Sequence, residues 1–111
     1  MSIKINMRMQ NEDRLNILFL MKVFEVGGQE VVTATLADIF IKKGHQVVIA
    51  SFKQPNDMMV KRTNPSVRFY TIGDFKYSKE NVNVVRRILL ENHINVVINQ
   101  WGLPYVPCKV L

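Results

Sequence analysis

The chain has a single cysteine, Cys108, in 111 residues, so no disulfide can form within it. With two histidines and no paired cysteines there is also no zinc-ligand set of the usual spacing. A reducing, intracellular setting is the default expectation for such a composition. No apolar run approaches the roughly 20 residues needed to cross a bilayer. The stretch nearest to a signal peptide runs from Lys4, Arg8 and Arg14 into residues 15–21, but Lys22 and Glu25 interrupt it and no small-residue cleavage site follows. It reads as a buried strand. Internal repeats and low-complexity segments are absent.

Several nucleotide and hydrolase signatures are missing as well. A dinucleotide site needs Gly-x-Gly-x-x-Gly after the first strand and an acid ending the second, where this chain has Gly27-Gly28-Gln29-Glu30 and Ser51-Phe52-Lys53. That pattern argues against NAD. No Gly-Lys-Ser/Thr phosphate loop occurs, Lys22 and Val23 stand where a phosphoacceptor receiver would carry acids, and there is no Gly-x-Ser-x-Gly elbow.

What is present is an ordinary globular composition, 48% hydrophobic and 22% charged, of a length that suits one small domain. Disorder is excluded by this balance. The net charge of +6 is compatible with nucleic acid, an anionic membrane surface or phosphorylated ligands. The basic residues come singly or in pairs (Lys42-Lys43, Lys61-Arg62, Arg86-Arg87), without a basic stripe interleaved with aromatics, so no nucleic-acid partner is expected. Solvated helix ends and loops account for most of them.

Hydrophobic patterning predicts alternating strands and helices. Residues 1–14 are polar and without a sustained period, an N-terminal tail or in part an edge strand. Residues 15–21 form a nearly continuous apolar run, the mark of a central strand covered on both faces. Gly27-Gly28 breaks the chain; Val32, Leu36, Ile39 and Phe40 then recur at helical spacing, and Gly44 follows Lys42-Lys43 as a stop. A second buried strand is read over 46–52, which makes the first crossover a right-handed βαβ unit. Residues 53–65 read as a long polar loop, and 67–72 as a third strand nearer the sheet edge. Ser78 offers an N-cap with Glu80 in the first turn of a helix whose stripe of Val82, Val85 and Leu89 stops around Asn92. Residues 95–99 give a fourth short strand with Gln100-Trp101-Gly102 as its exit, and Pro104 or Pro107 could start a further helix. The expected fold class is α/β, a doubly wound, Rossmann-like parallel sheet with flanking helices. Its ligands belong beyond the carboxyl ends of the strands, at residues 21–28, 52–54 and 100–103.

Among candidate functional residues, Gly27 and Gly28 sit where a strand turns into a helix, so backbone N–H groups and the positive helix end can face a phosphate. A Gly-Gly at this place is equally a plain structural turn. Glu30 favours the helix start but repels an anion. Gln100, Trp101 and Gly102 bring an amide and an indole to the carboxyl end of a buried strand, suited to hydrogen-bonding and stacking on a sugar ring; the plainer reading is that Trp101 plugs the sheet edge. His45 and His93 end the two helices and read as helix-terminal residues that cap carbonyls or answer the dipole, away from the ligand crevice. Cys108 reads as a small apolar residue rather than a nucleophile.

Taken together, Ile17-Leu18-Phe19-Leu20, Gly27-Gly28-Gln29-Glu30, Leu36-Ala37, Lys43-Gly44-His45-Gln46-Val47 and Asn95-Val96-Val97-Ile98-Asn99 resemble the amino-terminal Rossmann-like domain of GT-B glycosyltransferases, specifically the retaining family 4. The resemblance spans roughly residues 15–103. It implies the acceptor-side half of an enzyme in which two such domains face each other across a cleft. Gly27 and Gly28 match the loop that reaches the donor diphosphate. Gln100-Trp101-Gly102 match the strand exit that often carries a sugar-contacting histidine, which this chain lacks. The family's Glu-x7-Glu pair, borne on the second half, has no counterpart here. The resemblance thus implies that residues 15–111 are an incomplete acceptor-side domain, inactive alone, of an enzyme moving a sugar from a nucleotide-diphosphate donor to a glycan or lipid-linked acceptor in polysaccharide biosynthesis. No obligatory metal and no cofactor are implied. The expected setting is cytoplasmic, with the positive charge able to hold the enzyme against an anionic inner leaflet. Two other classes stay open: a noncatalytic α/β ligand-binding or interaction module, and half of a GT-B sugar-nucleotide epimerase.

Overall fold

The computed structural model describes residues 2–5 and 14–100. Eight elements follow in order: β1 (Ser2–Ile5), β2 (Asn16–Met21), α1 (Gly28–Lys42), β3 (Gln46–Ser51), α2 (Asp57–Arg62), β4 (Arg68–Thr71), α3 (Lys79–Glu91) and β5 (Val96–Asn99). They build one sheet of order β1-β5-β2-β3-β4. β5, β2, β3 and β4 run parallel, and β1 closes one edge antiparallel to β5, with Ser2 opposite Asn99 and Ile5 opposite Val96. The chain is therefore a Rossmann-like α/β fold. The alternative of an edge strand within residues 1–14 is the one realised over 2–5.

Strand β2 is central because its apolar run can be buried on both faces at once. Ile17, Phe19 and Met21 face a core shared with Ala37 of α1 and Met59 of α2. Leu18 and Leu20 face the opposite core, with Val85, Ile88 and Leu89 of α3. The helices thus divide between the two faces. α1 and α3 leave β2 and β4 on opposite sides of the sheet, which puts the topological switch between β2 and β5. As expected for a strand nearer the edge, β4 has only half-buried and exposed residues.

Two expectations need correction. Residues 53–65 are not simply a loop: Asn56 accepts from the backbone N–H of Met58 and Met59 and caps the short helix α2, whose Met59 is buried. A helix of six residues is too short to show a period, so the pattern could not reveal it. In α1 the helical spacing was right, but Val32 and Ile39 are 53% and 42% exposed, and the buried residues are Thr33 and Ala37. Leu36 and Phe40 of that stripe are half-buried and pack against the core, so the stripe found one flank of the packing face and missed its centre. The small Ala37 lets the helix approach the sheet.

Both long helices end in the same hydrogen-bonded turn. In α1, Gly44 and His45 donate backbone N–H groups to Ile41 O and Phe40 O; in α3, His93 and Ile94 donate to Leu90 O and Leu89 O. This turn needs a left-handed residue, which is Gly44 (φ 94°) in the first case and His93 (φ 52°) in the second. Both histidines are helix-terminal, as expected. His45, however, does not cap a carbonyl: its Nδ1 accepts from Leu15 N–H at 3.0 Å, tying the helix end to the start of β2.

Candidate functional site at the carboxyl end of the sheet

The loop after β2 leads into α1 through Gly27, the N-cap, whose backbone is extended (φ −170°). The loop is anchored by Phe24, fully buried, and by Asn56 N–H, which donates to Phe24 O at 2.9 Å and ties the loop to the start of α2. The first-turn N–H groups of α1 receive no side-chain cap. Nothing lies within 4 Å of where a Cβ on Gly28 would stand, so this residue leaves open space before the helix end. That is the geometry an anion site at a helix N-terminus requires.

An anion of the chain's own already lies beside this end. The Glu30 carboxylate folds back toward the loop; its Oε2 accepts from Glu25 N–H at 3.3 Å, and its Oε1 would lie 3.0 Å from a Cβ on Gly27. A side chain at 27 would meet no backbone strain but would push the Glu30 carboxylate aside by a few tenths of an ångström. A carboxylate there stabilises the helix start and competes for the place of a bound phosphate.

The exit of β5 is brought directly against this helix end. Gln100 continues the β5 ladder by donating N–H to Leu20 O at 2.9 Å. Its carbonyl accepts from Gln29 Nε2 at 3.3 Å, and its side-chain Oε1 lies 2.9 Å from Thr33 Oγ1, which is also 2.9 Å from Gln29 O. A hydroxyl has one proton and serves one of these acceptors at a time. Gln100 Nε2 is buried with no partner among the described residues. A half-turn of the amide would exchange its two ends, and one of them would still be unpaired. Thr33 is fully buried and Gln100 is 9% exposed, so this contact is a clamp between the β5 exit and the first two turns of α1.

Of the five residues singled out from the sequence, the structure brings together Gly27, Gly28 and Gln100 at one end of the sheet, across the switch point. Trp101 and Gly102 lie outside the described residues, as do Pro104, Pro107 and Cys108. Sequence reasoning missed Gln29 and Thr33. The available signal was Gln29 and Thr33 one turn apart on one helix face, polar groups that must find partners once buried.

Lys22 and Phe75 border the same end beyond β2 and β3. The Lys22 ammonium stands 4.9 Å from the centre of the Phe75 ring, which packs edge-on to Phe52 at 4.8 Å. Among the described residues no three His, Cys, Asp or Glu side chains gather to hold a metal ion. No helix among them is long and apolar enough to cross a membrane.

The fold defines a Rossmann-like α/β protein in which the loop after β2 and the exit of β5 meet at one end of the sheet. Comparison with protein-family models and with curated proteins returns no match.

Proposed function

We propose that this chain is the acceptor-side part of a retaining GT-B glycosyltransferase of family 4. The observation that carries the reading is the clamp of Gln100 onto Gln29 and Thr33, which sets the open helix end at Gly28 beside the exit of β5. In such an enzyme the N–H groups of Gly28 and its neighbours hold the donor diphosphate and stabilise the charge that develops on it as the glycosidic bond breaks. Gln100 then stands on the side on which sugar and acceptor meet, and the resemblance adds Trp101 and Gly102, next in sequence, as sugar- or acceptor-contacting candidates. The setting is cytoplasmic, with the acceptor a glycan or a lipid-linked sugar at an anionic membrane face.

The test is made on the full reading frame that encodes this chain. It should continue into a second α/β half containing Glu-x7-Glu, and the purified protein should turn over one of a panel of nucleotide-diphosphate sugars with retention at the anomeric carbon, read by NMR. The 111-residue chain alone should show no turnover. A frame without a second half, or an inverted product, overturns the reading, and an epimerised nucleotide sugar with no acceptor product makes the protein an epimerase. The placement of the Glu30 carboxylate favours a second reading, a noncatalytic module in which the chain's own negative charge stands beside the helix end in place of a phosphate.

A further inference from the structure

A second polar groove lies at the opposite end of the sheet, where β2, β3 and β4 begin. It is lined by Arg14, Ile41, Gly44, His45, Gln46, Val47, Ser66 and Arg68 and has a volume of about 450 Å³. Among the described residues its charged lining is cationic, and no aspartate or glutamate of theirs borders it.

Both guanidinium groups are held in place by neutral amides. Arg14 Nη2 lies 3.4 Å from Gln46 Oε1, and Gln46 Nε2 lies 3.4 Å from Asn92 Oδ1. Arg68 Nη1 donates to the same Asn92 oxygen at 3.0 Å. One glutamine and one asparagine therefore link the two arginines. Among the described residues the ion pair is Lys42 with Asp38, and neither Arg14 nor Arg68 meets a carboxylate.

The arginines are not needed to close helix ends. The last carbonyls of α1 and α3 that face this end already accept from Gly44, His45, His93 and Ile94. The remaining groups of the groove are donors. His45 Nδ1 accepts from Leu15 N–H, so the ring proton sits on Nε2, and Ser66, which also lines the groove, has a hydroxyl able to donate. Two planar forks of N–H donors with added neutral donors match a tetrahedral oxyanion, which accepts several bonds at once.

We propose that this groove binds a phosphate monoester, with Arg14 and Arg68 as its charged ligands and His45 and Ser66 as neutral donors. The site is separate from the crevice at the carboxyl end, so it stands or falls independently of the transferase reading. The phosphate is either that of a soluble molecule or the headgroup of a lipid, and both carry the same dianionic group.

The experiment titrates the 111-residue chain with inorganic phosphate while backbone amide shifts are followed by NMR. In parallel, phosphatidylcholine vesicles with and without phosphatidic acid are tested by co-sedimentation. Saturable shifts confined to residues around 14, 44–46 and 66–68 are expected, weakened about tenfold or more in the double variant Arg14→Gln/Arg68→Gln. Arg68→Lys keeps the charge without the fork and should bind between the two. Both arginines are exposed, and circular dichroism checks that each variant remains folded. Arginine-dependent co-sedimentation with phosphatidic acid identifies a lipid source, and saturable phosphate shifts without it a soluble one. Non-saturating shifts spread over other basic residues, or shifts and co-sedimentation unchanged in the double variant, overturn the proposal.

Discussion

Replacing Thr33 by valine tests whether the clamp between α1 and β5 is what fixes the crevice. Valine matches threonine in shape, so packing at this fully buried position is kept and the hydroxyl alone is lost. The loss leaves the Gln100 side-chain oxygen, now 2.9 Å from Thr33 Oγ1, buried without a donor. An orphaned buried acceptor costs about 1–3 kcal/mol, so Thr33→Val should lower unfolding stability by that amount, or about 4 °C of midpoint per kcal/mol. Thr33→Ser keeps the donor and should lose only a methyl group, about 1 kcal/mol or less. Gln100→Leu removes the acceptor instead, and Thr33 can then bond Gln29 O at 2.9 Å. The double variant Thr33→Val/Gln100→Leu should therefore be less damaged than the two single losses added together, because no side-chain oxygen is left unpaired. Urea unfolding of the four proteins measures this coupling. If Thr33→Val costs no more than Thr33→Ser, or the double variant is simply additive, the hydrogen bond is not what joins these elements.

Four further outcomes are expected. Gly28→Ala should leave the fold as stable or up to about 1 kcal/mol more so, since the site is open and alanine favours a helix, yet it should weaken nucleotide-diphosphate binding by the full-length enzyme in a titration. Glu30→Gln should strengthen that same binding by removing the competing carboxylate, and unchanged or weaker binding would sink the diphosphate assignment. His93→Gly should stabilise the chain by about 1 kcal/mol in thermal unfolding, because glycine takes the left-handed angle at 52° without cost. The Asp38 carboxyl is held below its ordinary value of 3.8, first by its hydrogen bond to Lys42 and then by that to Asn64. Because the folded value is the lower one, its contribution is full above 3.8 and disappears as pH falls through the depressed value, so the acid-unfolding difference between the natural chain and Asp38→Asn should vanish at low pH.

Much of the architecture was legible because parallel strands leave a strong mark. The continuous apolar run over β2 and β3 can be accommodated only in a strand buried on both sides, and Gly44 and Ser78 act locally on the helix termini that they bound. The short helix α2 was hidden because six residues cannot display a period and its cap, Asn56, is equally at home in a turn. In α1 the exposed Val32 and Ile39 are as apolar as Leu36 and Phe40, which do pack on the core, so periodicity found the helix and only part of its packing face. Part of the candidate site was visible too. The glycine pair at the strand-to-helix turn and the glutamine at the strand exit do come to one end of the sheet, but neither marked the contact that joins them.

The sequence by itself determined the four parallel strands, the two long helices between them and the central place of β2, because these follow from local pattern and from the handedness of the crossover. Tertiary structure alone decided that Gln29 and Thr33 grip Gln100 across 71 and 67 residues, that Glu30 lies beside the helix end, and that Arg14 and Arg68 share one groove. Such pairings depend on which strands become neighbours in the sheet and on how α1 is rotated upon it, and neither is encoded in the spacing of residues along one element.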